Sequence, residues 1–387
     1  MSLDPELLKK MMAQAGAVSS EPEPVEVTSI PSKEEEEKAV ADKTMNEIVE
    51  EAAPAKPKAA PKPKAKAAPK SGALMFSHLF WKPQSMPDFE VPKFSADSWD
   101  DAVAERIPES DTTYQLNKRT VEAFVYSLTA GGTVLLHGET GTGKTSLARE
   151  VCARLNIPFM RISCHGQMEQ SELVGANSVV NDGGVPITKH SDTDLTLGCK
   201  HGGMVVLDEV FRTPPNALMS VQSLLEYPHE LNLQDSHGNS RQLEPDADKF
   251  FMVLTDNTTG SGDVTGNYVA EVQDTSTRNR IRRSIEVKYM TAKQEQKLLT
   301  DKYPDLTPDK AENMVTLAGL VRTAFRTGTC METMSIRELL TWAQDAVAFD
   351  DVKQSFKLSV FNRLTKDDQK VVRDCWNQVY TEESGRL

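Results

Sequence analysis

The chain has 387 residues, enough for two domains of ordinary size plus tails, and 39% of them are hydrophobic. Its formal net charge of −13 argues against binding of nucleic acid or of anionic membranes by the surface as a whole. The five cysteines show no C-x-x-C spacing, so neither a zinc site nor a disulfide framework is indicated. Isolated cysteines, the lack of a signal-peptide pattern and the lack of a long apolar run predict a cytoplasmic protein with no membrane span.

The beginning of the chain contains two segments of different composition. Residues 1–15 place leucines and methionines on one face of a short predicted helix, which is too short to be stable alone. A docking peptide for a partner and a frayed terminus both agree with this pattern. Residues 16–72 are rich in Pro, Ala, Lys and Glu, and they cannot bury enough apolar surface to offset the entropy of ordering. We therefore predict a disordered linker there.

Residues 73–95 form a lead-in segment that carries an isolated group of large apolar side chains. These are Leu74, Met75, Phe76, Leu79, Phe80 and Trp81. The group can pack either on the domain that follows or on a neighbouring subunit, and the sequence does not distinguish between the two.

A glycine-rich segment lies between an apolar run and a helical pattern. It reads Gly138-Glu139-Thr140-Gly141-Thr142-Gly143-Lys144-Thr145 and fits G-x-x-x-x-G-K-[ST]. In such a loop, backbone N–H groups and the helix N-terminus bind phosphates. Lys144 would reach the β- and γ-phosphates, the Thr145 hydroxyl would ligate Mg²⁺, and Ser146 would complete the binding segment. Because both flanks are correct, the sequence predicts a nucleotide-binding protein and not an ordinary glycine-rich turn.

Five apolar runs predict the strands of a parallel sheet: residues 133–137, 158–162, 204–207, 250–255 and 285–289. Several runs are unbroken, as expected of strands covered on both faces, and helical stretches separate most of them. We therefore predict a doubly wound five-stranded α/β core over residues 96–289. After about Met290 the pattern is wholly helical, which predicts a small all-α domain over residues 290–387.

Two carboxylates end the third predicted strand. Asp208 is expected to hold Mg²⁺ through water, and Glu209 is expected to polarise the attacking water as general base. The same pattern can describe a strand that ends in solvent, but its place after a phosphate loop favours the catalytic interpretation. At the end of the fourth strand, Asn257 is expected between the γ-phosphate and the water; an asparagine of a strand-to-loop turn is the alternative.

Arginines in two later segments are candidates for contact with phosphates. Four precede the last strand: Arg278, Arg280, Arg282 and Arg283. A guanidinium is permanently charged and forked, so one of them, with Arg280 preferred, could serve the nucleotide of a neighbouring subunit. A solvated basic face and a nucleic-acid patch are the alternatives. Further on, Ser335 is expected to cap a helix that points Arg337 back at the phosphates, unless Arg337 simply lies on the helix surface.

These elements, in this order, resemble the AAA+ ATPases with a P-loop core and a helical lid, and finer features resemble their MoxR branch. Residues 172–175 are similar to the ELLG segment of that branch, and residues 208–215 and 221–226 to its DEINRAPP and ALLEAM motifs. Residues 231–243 resemble the β-hairpin that the branch inserts next. Within the branch, the segments at residues 107–114 and 337–343 are similar to the ATPase subunits of aerobic cobaltochelatases.

The resemblance covers roughly residues 90–350 and implies ATP and Mg²⁺ as cofactors. It further implies a ring-forming motor, expected to be a homo-hexamer, whose site is completed in trans by Arg280. Relatives remodel partner proteins, often ones with a von Willebrand-type domain, and in cobaltochelatase this drives metal insertion into a tetrapyrrole. No residue of this chain indicates a corrin or cobalt site.

Two departures from the branch concern the site. Arg278-Asn279-Arg280-Ile281 stands where Asp-Arg and an aromatic residue are usual, so either arginine can be the trans finger. Asp256 stands where a small residue is usual. Two alternative functions remain open: a nucleic-acid-directed NTPase, disfavoured by the acidic charge, and a nucleotide-gated adaptor with little turnover.

Overall fold

The computed structural model describes residues 74–380 apart from residues 184, 235–239, 263–267 and 269. The predicted docking helix over residues 1–15 and the predicted linker over residues 16–72 lie outside the described residues. No helix in the described ranges is long and apolar enough to cross a membrane.

The strands, in chain order, are β1 Leu74–Met75, β2 Glu90–Val91, β3 Val134–His137, β4 Phe159–Ser163, β5 Ala176–Asp182, β6 Val185–Ser191, β7 Gly203–Asp208, β8 Leu231–Gln234, β9 Ser240–Leu243, β10 Phe250–Asp256 and β11 Arg283–Glu286. The α-helices are α1 Phe76–Leu79, α2 Asp101–Ala104, α3 Lys118–Thr129, α4 Lys144–Leu155, α5 Gln170–Val174, α6 Asp194–His201, α7 Pro215–Met219, α8 Gln222–Leu225, α9 Thr275–Arg280, α10 Ala292–Lys302, α11 Pro308–Arg326, α12 Ile336–Phe349, α13 Val352–Ser359 and α14 Lys366–Val379.

Strands β3, β4, β7, β10 and β11 form a parallel sheet in the order β11-β3-β10-β7-β4, which confirms the predicted α/β core. Every residue of β7 and β10 is buried, as expected for central strands with helices on both faces. The ladders place Thr255 beside Asp208 and Asp256 beside His137. Polar side chains from three strands therefore meet at the carboxyl edge of the sheet.

The last strand begins earlier than predicted. β11 pairs Arg283 with Val134 and Glu286 with His137, so it ends before residues 287–289 of the predicted run. Val287 still donates its backbone N–H to the His137 carbonyl at 2.7 Å and stays buried. Its apolar character thus reflects burial next to the sheet, which a hydrophobic run cannot separate from strand pairing.

The lead-in segment packs on the α/β core. Phe76 is fully buried in the main hydrophobic core, and its ring stacks on Phe80 and Phe89 with centroids 4.7 Å and 5.0 Å away. Trp81 donates its indole N–H to Glu122 of α3 at 2.7 Å. The sequence left open whether this segment packs on the following domain or on a neighbouring subunit. In the structure it packs on the following domain.

Glu122 is the buried anchor of this contact. Its carboxylate is fully buried and also accepts hydrogen bonds from the backbone N–H groups of Gln84 and Ser85, both at 3.1 Å. Burial raises the pKa of Glu122, but the hydrogen bonds from Ser85, Trp81 and Gln84 outweigh it and hold the pKa below its usual value. The ionised acid therefore ties the lead-in segment to α3.

Helices α10 to α14 form the all-helical region that the sequence predicts. They enclose a second hydrophobic cluster, centred on Trp342, Phe356 and Trp376, that is separate from the core around the sheet. The helix starts follow local sequence: Thr307 accepts from the Lys310 N–H with Pro308 in the first turn of α11. The boundaries of the predicted division into residues 96–289 and 290–387 stay a prediction, and we call the region of helices α10 to α14 the lid.

Two antiparallel hairpins project from the core. β8 and β9 pair Leu231 with Leu243, which confirms the predicted hairpin. The β5–β6 hairpin was not predicted from the sequence. Its apolar side chains Val179, Val185 and Ile187 are exposed, so these three, among the side chains of the hairpin that the structure describes, do not form a buried face. The Asp182-Gly183 dipeptide, with Gly183 at a φ of 60°, is the turn signal that would have indicated it.

Candidate nucleotide-binding site

The predicted phosphate loop connects β3 to α4 at the carboxyl edge of the sheet. Gly138, Gly141 and Gly143 have φ angles of 145°, 74° and 88°, which side-chain-bearing residues rarely adopt. A Cβ on Gly138 would also collide with the carbonyl oxygen of Val287. Gly143 is the N-cap of α4, so the positive end of that helix opens on the loop.

Lys144 is buried beneath the loop. Its ammonium donates to the carbonyls of Gly138 and Glu139 at 2.9 Å and 3.1 Å, and to Asn257 Oδ1 at 2.8 Å. Burial lowers the pKa of Lys144 to about 8, although the carboxylates of Asp256 and Asp208 act in the opposite direction. The structure therefore brings the predicted phosphate-binding lysine and the predicted Asn257 into direct contact.

Asp208, at the end of β7, is held by donors on both of its oxygens. Oδ1 accepts from the Thr145 hydroxyl at 2.7 Å and from the Thr255 hydroxyl. Oδ2 accepts from Arg161 Nε at 2.8 Å. The described residues contain no group of three or more His, Cys, Asp or Glu that could hold a metal by themselves. Adjacent oxygens of Thr145 and Asp208 nevertheless fit Mg²⁺, which takes few protein ligands and completes its shell with phosphates and water.

Glu209 leaves the strand in the left-handed region, with a φ of 58°. Its carboxylate forms an ion pair with Arg212 at 3.0 Å and is about half exposed. The residue lines the same cavity as Lys144 and Asp208. The predicted general base is thus at the site, with a cationic neighbour on the side of the 3₁₀ turn Val210–Arg212.

Asp256, the unusual residue before Asn257, has a structural explanation. Its buried carboxylate accepts from the backbone N–H of Phe211 at 2.9 Å and from the backbone N–H and hydroxyl of Thr258 at 2.8 Å and 2.9 Å. It therefore joins the turn after Glu209 to the turn that carries Asn257, and it holds two predicted catalytic side chains at a fixed spacing.

The four arginines near the end of the core fall into two pairs. Arg282 and Arg283 lie at the amino end of β11, over the rings of Tyr227 and Tyr126. Arg278 and Arg280 lie on or at the end of α9. None of the four lines the phosphate cavity in the part of the chain that the structure describes.

Arg280, the preferred trans finger, is engaged at the surface of its own subunit. It forms an ion pair with Glu226 at 2.6 Å. Arg278 donates to the Ser261 hydroxyl at 2.7 Å. A role for either arginine in the site of a neighbouring subunit stays a prediction.

The lid supplies the opposite wall of the cavity. Ser335 caps α12 by accepting from the Glu338 N–H at 3.2 Å, which confirms the predicted N-cap. The Ile336 N–H reaches the Gly141 carbonyl at 3.4 Å, so this helix begins directly at the phosphate loop. Arg337 follows; its side chain is exposed and lines the cavity. Arg337 thus lines the cavity, and its contact with phosphates stays a prediction.

Two adjacent cavities share this region. The phosphate cavity, of about 330 Å³, contains Lys144, Thr145, Asp208, Glu209, Asn257 and Arg337. A second cavity of about 350 Å³ continues from Gly141, Gly143, Ser146 and Arg337 to the apolar side chains of Met290, Leu298, Ile336 and Leu340. The second cavity also has charged side chains in its wall, among them Glu109, Asp111 and Lys302. The charged first cavity fits the phosphates of a nucleotide, and the apolar part of the second fits its base.

Sequence reasoning missed several residues of the site. Arg161 and Thr255 both contact Asp208 from neighbouring strands, and their places near the carboxyl ends of predicted strands were the available signal. Arg326 of the lid pairs with Glu139 of the phosphate loop at 2.7 Å. Tyr289 donates its hydroxyl proton to the Thr140 carbonyl. No local pattern indicated these last two contacts.

Comparisons with known proteins agree with this arrangement. The family model "AAA domain (dynein-related subfamily)" matches residues 133–281, and the model "CbbQ/NirQ/NorQ C-terminal" matches residues 295–379. The aerobic cobaltochelatase subunit CobS of Sinorhizobium sp. is 28% identical over 299 residues, which cover 76% of this chain and 87% of CobS. The denitrification regulatory protein NirQ of Pseudomonas aeruginosa is 29% identical over 144 residues, which cover 37% of this chain and 52% of NirQ.

Among solved structures, the Thermotoga maritima RuvB Holliday junction branch migration motor aligns with a TM-score of 0.40 and 15% identity. The alignment covers 68% of this chain and 74% of that one.

Proposed function

Because the chain belongs to the MoxR-type AAA+ ATPases, close to CobS, we propose that it hydrolyses ATP in a ring of identical subunits and thereby remodels a partner protein. The observation that carries the proposal is the convergence of three strand ends on the phosphate loop. Lys144 Nζ lies 2.8 Å from Asn257 Oδ1, and Thr145 Oγ1 lies 2.7 Å from Asp208 Oδ1. These are the groups that bind phosphates and a divalent metal in P-loop proteins.

The binding half of the mechanism follows from present contacts. Lys144 exchanges its two carbonyl partners for β- and γ-phosphate oxygens, while the loop N–H groups and α4 face the same anions. Thr145 and Asp208 would hold Mg²⁺, which when bound offsets negative charge on the phosphates. The base would lie on the apolar side chains of the second cavity, Met290, Leu298, Ile336 and Leu340. ATP, not GTP, is an expectation from the family.

The hydrolytic half assigns one role to each remaining residue. Glu209 takes a proton from the attacking water once its carboxylate turns away from Arg212. Asn257 orients that water from the end of β10. Arg337 approaches the phosphates from the lid, and Arg280 of a neighbouring subunit, with Arg278 as the alternative, stabilises the transferring phosphoryl group.

The partner is proposed by similarity. CobS is a cobaltochelatase subunit, and the match extends over most of both chains. We therefore place this chain in a chelatase-type complex, in the cytoplasm, with a homo-hexameric ring and a protein partner of the von Willebrand type. Movement of the lid against the core would transmit hydrolysis to that partner.

The test is nucleotide hydrolysis as a function of protein concentration for the wild type, Glu209→Gln and Arg280→Ala. Specific activity is expected to rise with concentration, since the site needs two subunits, and both variants are expected to lose turnover. Glu209→Gln should still assemble with ATP and can then be used to capture the partner.

Binding without turnover at any concentration would overturn the motor and leave a nucleotide-gated adaptor. If Arg280→Ala keeps full activity while Arg278→Ala loses it, the trans finger is Arg278.

A further inference from the structure

Arg161 lies in the phosphate cavity although no motif marks it. It belongs to β4, the neighbour of β7, and its guanidinium contacts Asp208 Oδ2 through both Nε, at 2.8 Å, and Nη2. Oδ1 of Asp208 already accepts from the hydroxyls of Thr145 and Thr255. Both carboxylate oxygens are therefore engaged by protein donors.

The two partners of this ion pair differ in how firmly they are held. The Asp208 side chain is 9% exposed and has three donor residues, whereas the Arg161 side chain is 50% exposed. Departure of the guanidinium into solvent would break its contacts with Asp208 and leave the two hydroxyl contacts intact. Arg161 is therefore the movable member of the pair.

A divalent cation and a guanidinium make opposing demands on one carboxylate. The metal ion and the guanidinium both bind to the negative charge of the carboxylate, and the two cations repel each other at short range. Mg²⁺ also demands near-octahedral geometry. Resting on the nucleotide site proposed above, we propose that Arg161 is a positioning residue that serves as the internal counter-ion of Asp208 and competes with the divalent metal for it. Metal loading then requires the guanidinium to leave.

The experiment uses the full chain with ADP and Mn²⁺, which shares the preference of Mg²⁺ for oxygen ligands and is visible by electron paramagnetic resonance. Arg161→Ala is expected to lower the half-saturating Mn²⁺ concentration by about fivefold or more, because the competitor is gone. Arg161→Gln, which keeps length and loses charge, should shift it in the same direction. Arg149→Ala removes one cation from the same cavity without a contact to Asp208 and is the matched control.

The control separates competition from a general effect of charge. A shift in Arg161→Ala no larger than that in Arg149→Ala, or weaker Mn²⁺ binding, would overturn the proposal. ADP binding in EDTA gives the second readout: Arg161→Ala should lose no more affinity than Arg149→Ala, and a larger loss would make Arg161 a phosphate ligand. If the wild type binds no ADP at all, the proposed function itself fails; if it binds ADP normally, only the role of Arg161 is in question.

Discussion

The two walls of the nucleotide site are built in different ways. At the sheet edge, Lys144 has three acceptors and Asp208 three donor residues, and both side chains are buried. On the lid wall, Arg337 is exposed, and the ion pair of Arg326 with Glu139 joins side chains that are 51% and 30% exposed. The edge is organised before any ligand arrives, whereas the lid adds contacts that cost little to break.

Inside the lid, in contrast to the exposed contacts of its wall, an ion pair is buried. Arg322 forms a buried two-oxygen ion pair with Glu295 at 2.7 Å and 2.9 Å and donates from Nε to the Met334 carbonyl at 2.7 Å. Its guanidinium also lies 3.9 Å from the centre of the ring of Tyr289, a residue that precedes the lid and whose hydroxyl donates to the Thr140 carbonyl of the phosphate loop. The buried ion pair therefore holds the lid together internally, whereas the ion pair that joins the lid to the loop, between Arg326 and Glu139, is partly exposed.

The largest expected effect is a difference in ADP affinity between variants of the two walls. Lys144→Ala should weaken ADP binding by about 100-fold, because truncating a buried charged group costs about 2–5 kcal/mol. Arg337→Ala should weaken it by less than about tenfold, since the side chain is exposed and screened. Isothermal titration calorimetry measures both. Equal losses in the two variants would mean that the lid wall is as organised as the sheet edge.

The next effect concerns the lid interior. Arg322→Met leaves the carboxylate of Glu295 buried without its partner and should destabilise the lid by about 3–5 kcal/mol. Hydrogen exchange should then show lost protection in residues 292–379 and retained protection in the central strands.

The double variant Arg322→Met with Glu295→Gln is the matched control. It removes both charges and should recover much of the loss. Unfolding of core and lid together in the single variant would show that the lid is not an independent body.

The sequence predicted the sheet edge far better than the lid contacts, for a physical reason. The phosphate loop, Asp208 with Glu209, and Asn257 each follow directly on an apolar strand, so a local pattern carries both the structure and the position of the side chain. Contacts between walls have no such local signature. Glu139 and Arg326 are 187 residues apart, and only the packing of α11 against the loop brings them together.

The missed β5–β6 hairpin has a related cause. Strand prediction relies on one buried face, and here Val179, Val185 and Ile187 all face solvent. Arg161 was missed because an arginine in an apolar run resembles an edge-strand surface residue. Its significance depends on β4 lying beside β7, which is a property of topology and not of the run itself.

A third prediction uses the titration of the sheet edge. Burial lowers the pKa of Lys144 to about 8, and phosphates bind its protonated form. Binding therefore takes up a proton above that pH, and ADP affinity should fall by about tenfold per pH unit above about 8. Calorimetric titrations from pH 7 to pH 10 measure the slope.

Arg337→Ala leaves Lys144 in place and should retain the slope of the wild type. Lys144→Ala should have a nearly flat profile. A slope that persists in Lys144→Ala would assign the titration to another group.

The smallest expected effect tests whether the lid is loosely attached. Arg326→Ala, Glu139→Gln and the double variant form a cycle whose coupling energy should be about 0.2–1 kcal/mol, as for other half-exposed ion pairs, or up to about a fivefold change in ADP affinity. Lys310→Ala, which breaks an ion pair of the lid with Asp350 at 3.1 Å and touches no loop residue, is the control and should leave ADP affinity unchanged. Coupling well above 1 kcal/mol would show that Glu139 and Arg326 clamp the lid shut, and nucleotide entry would then have to break that clamp before the lid could move.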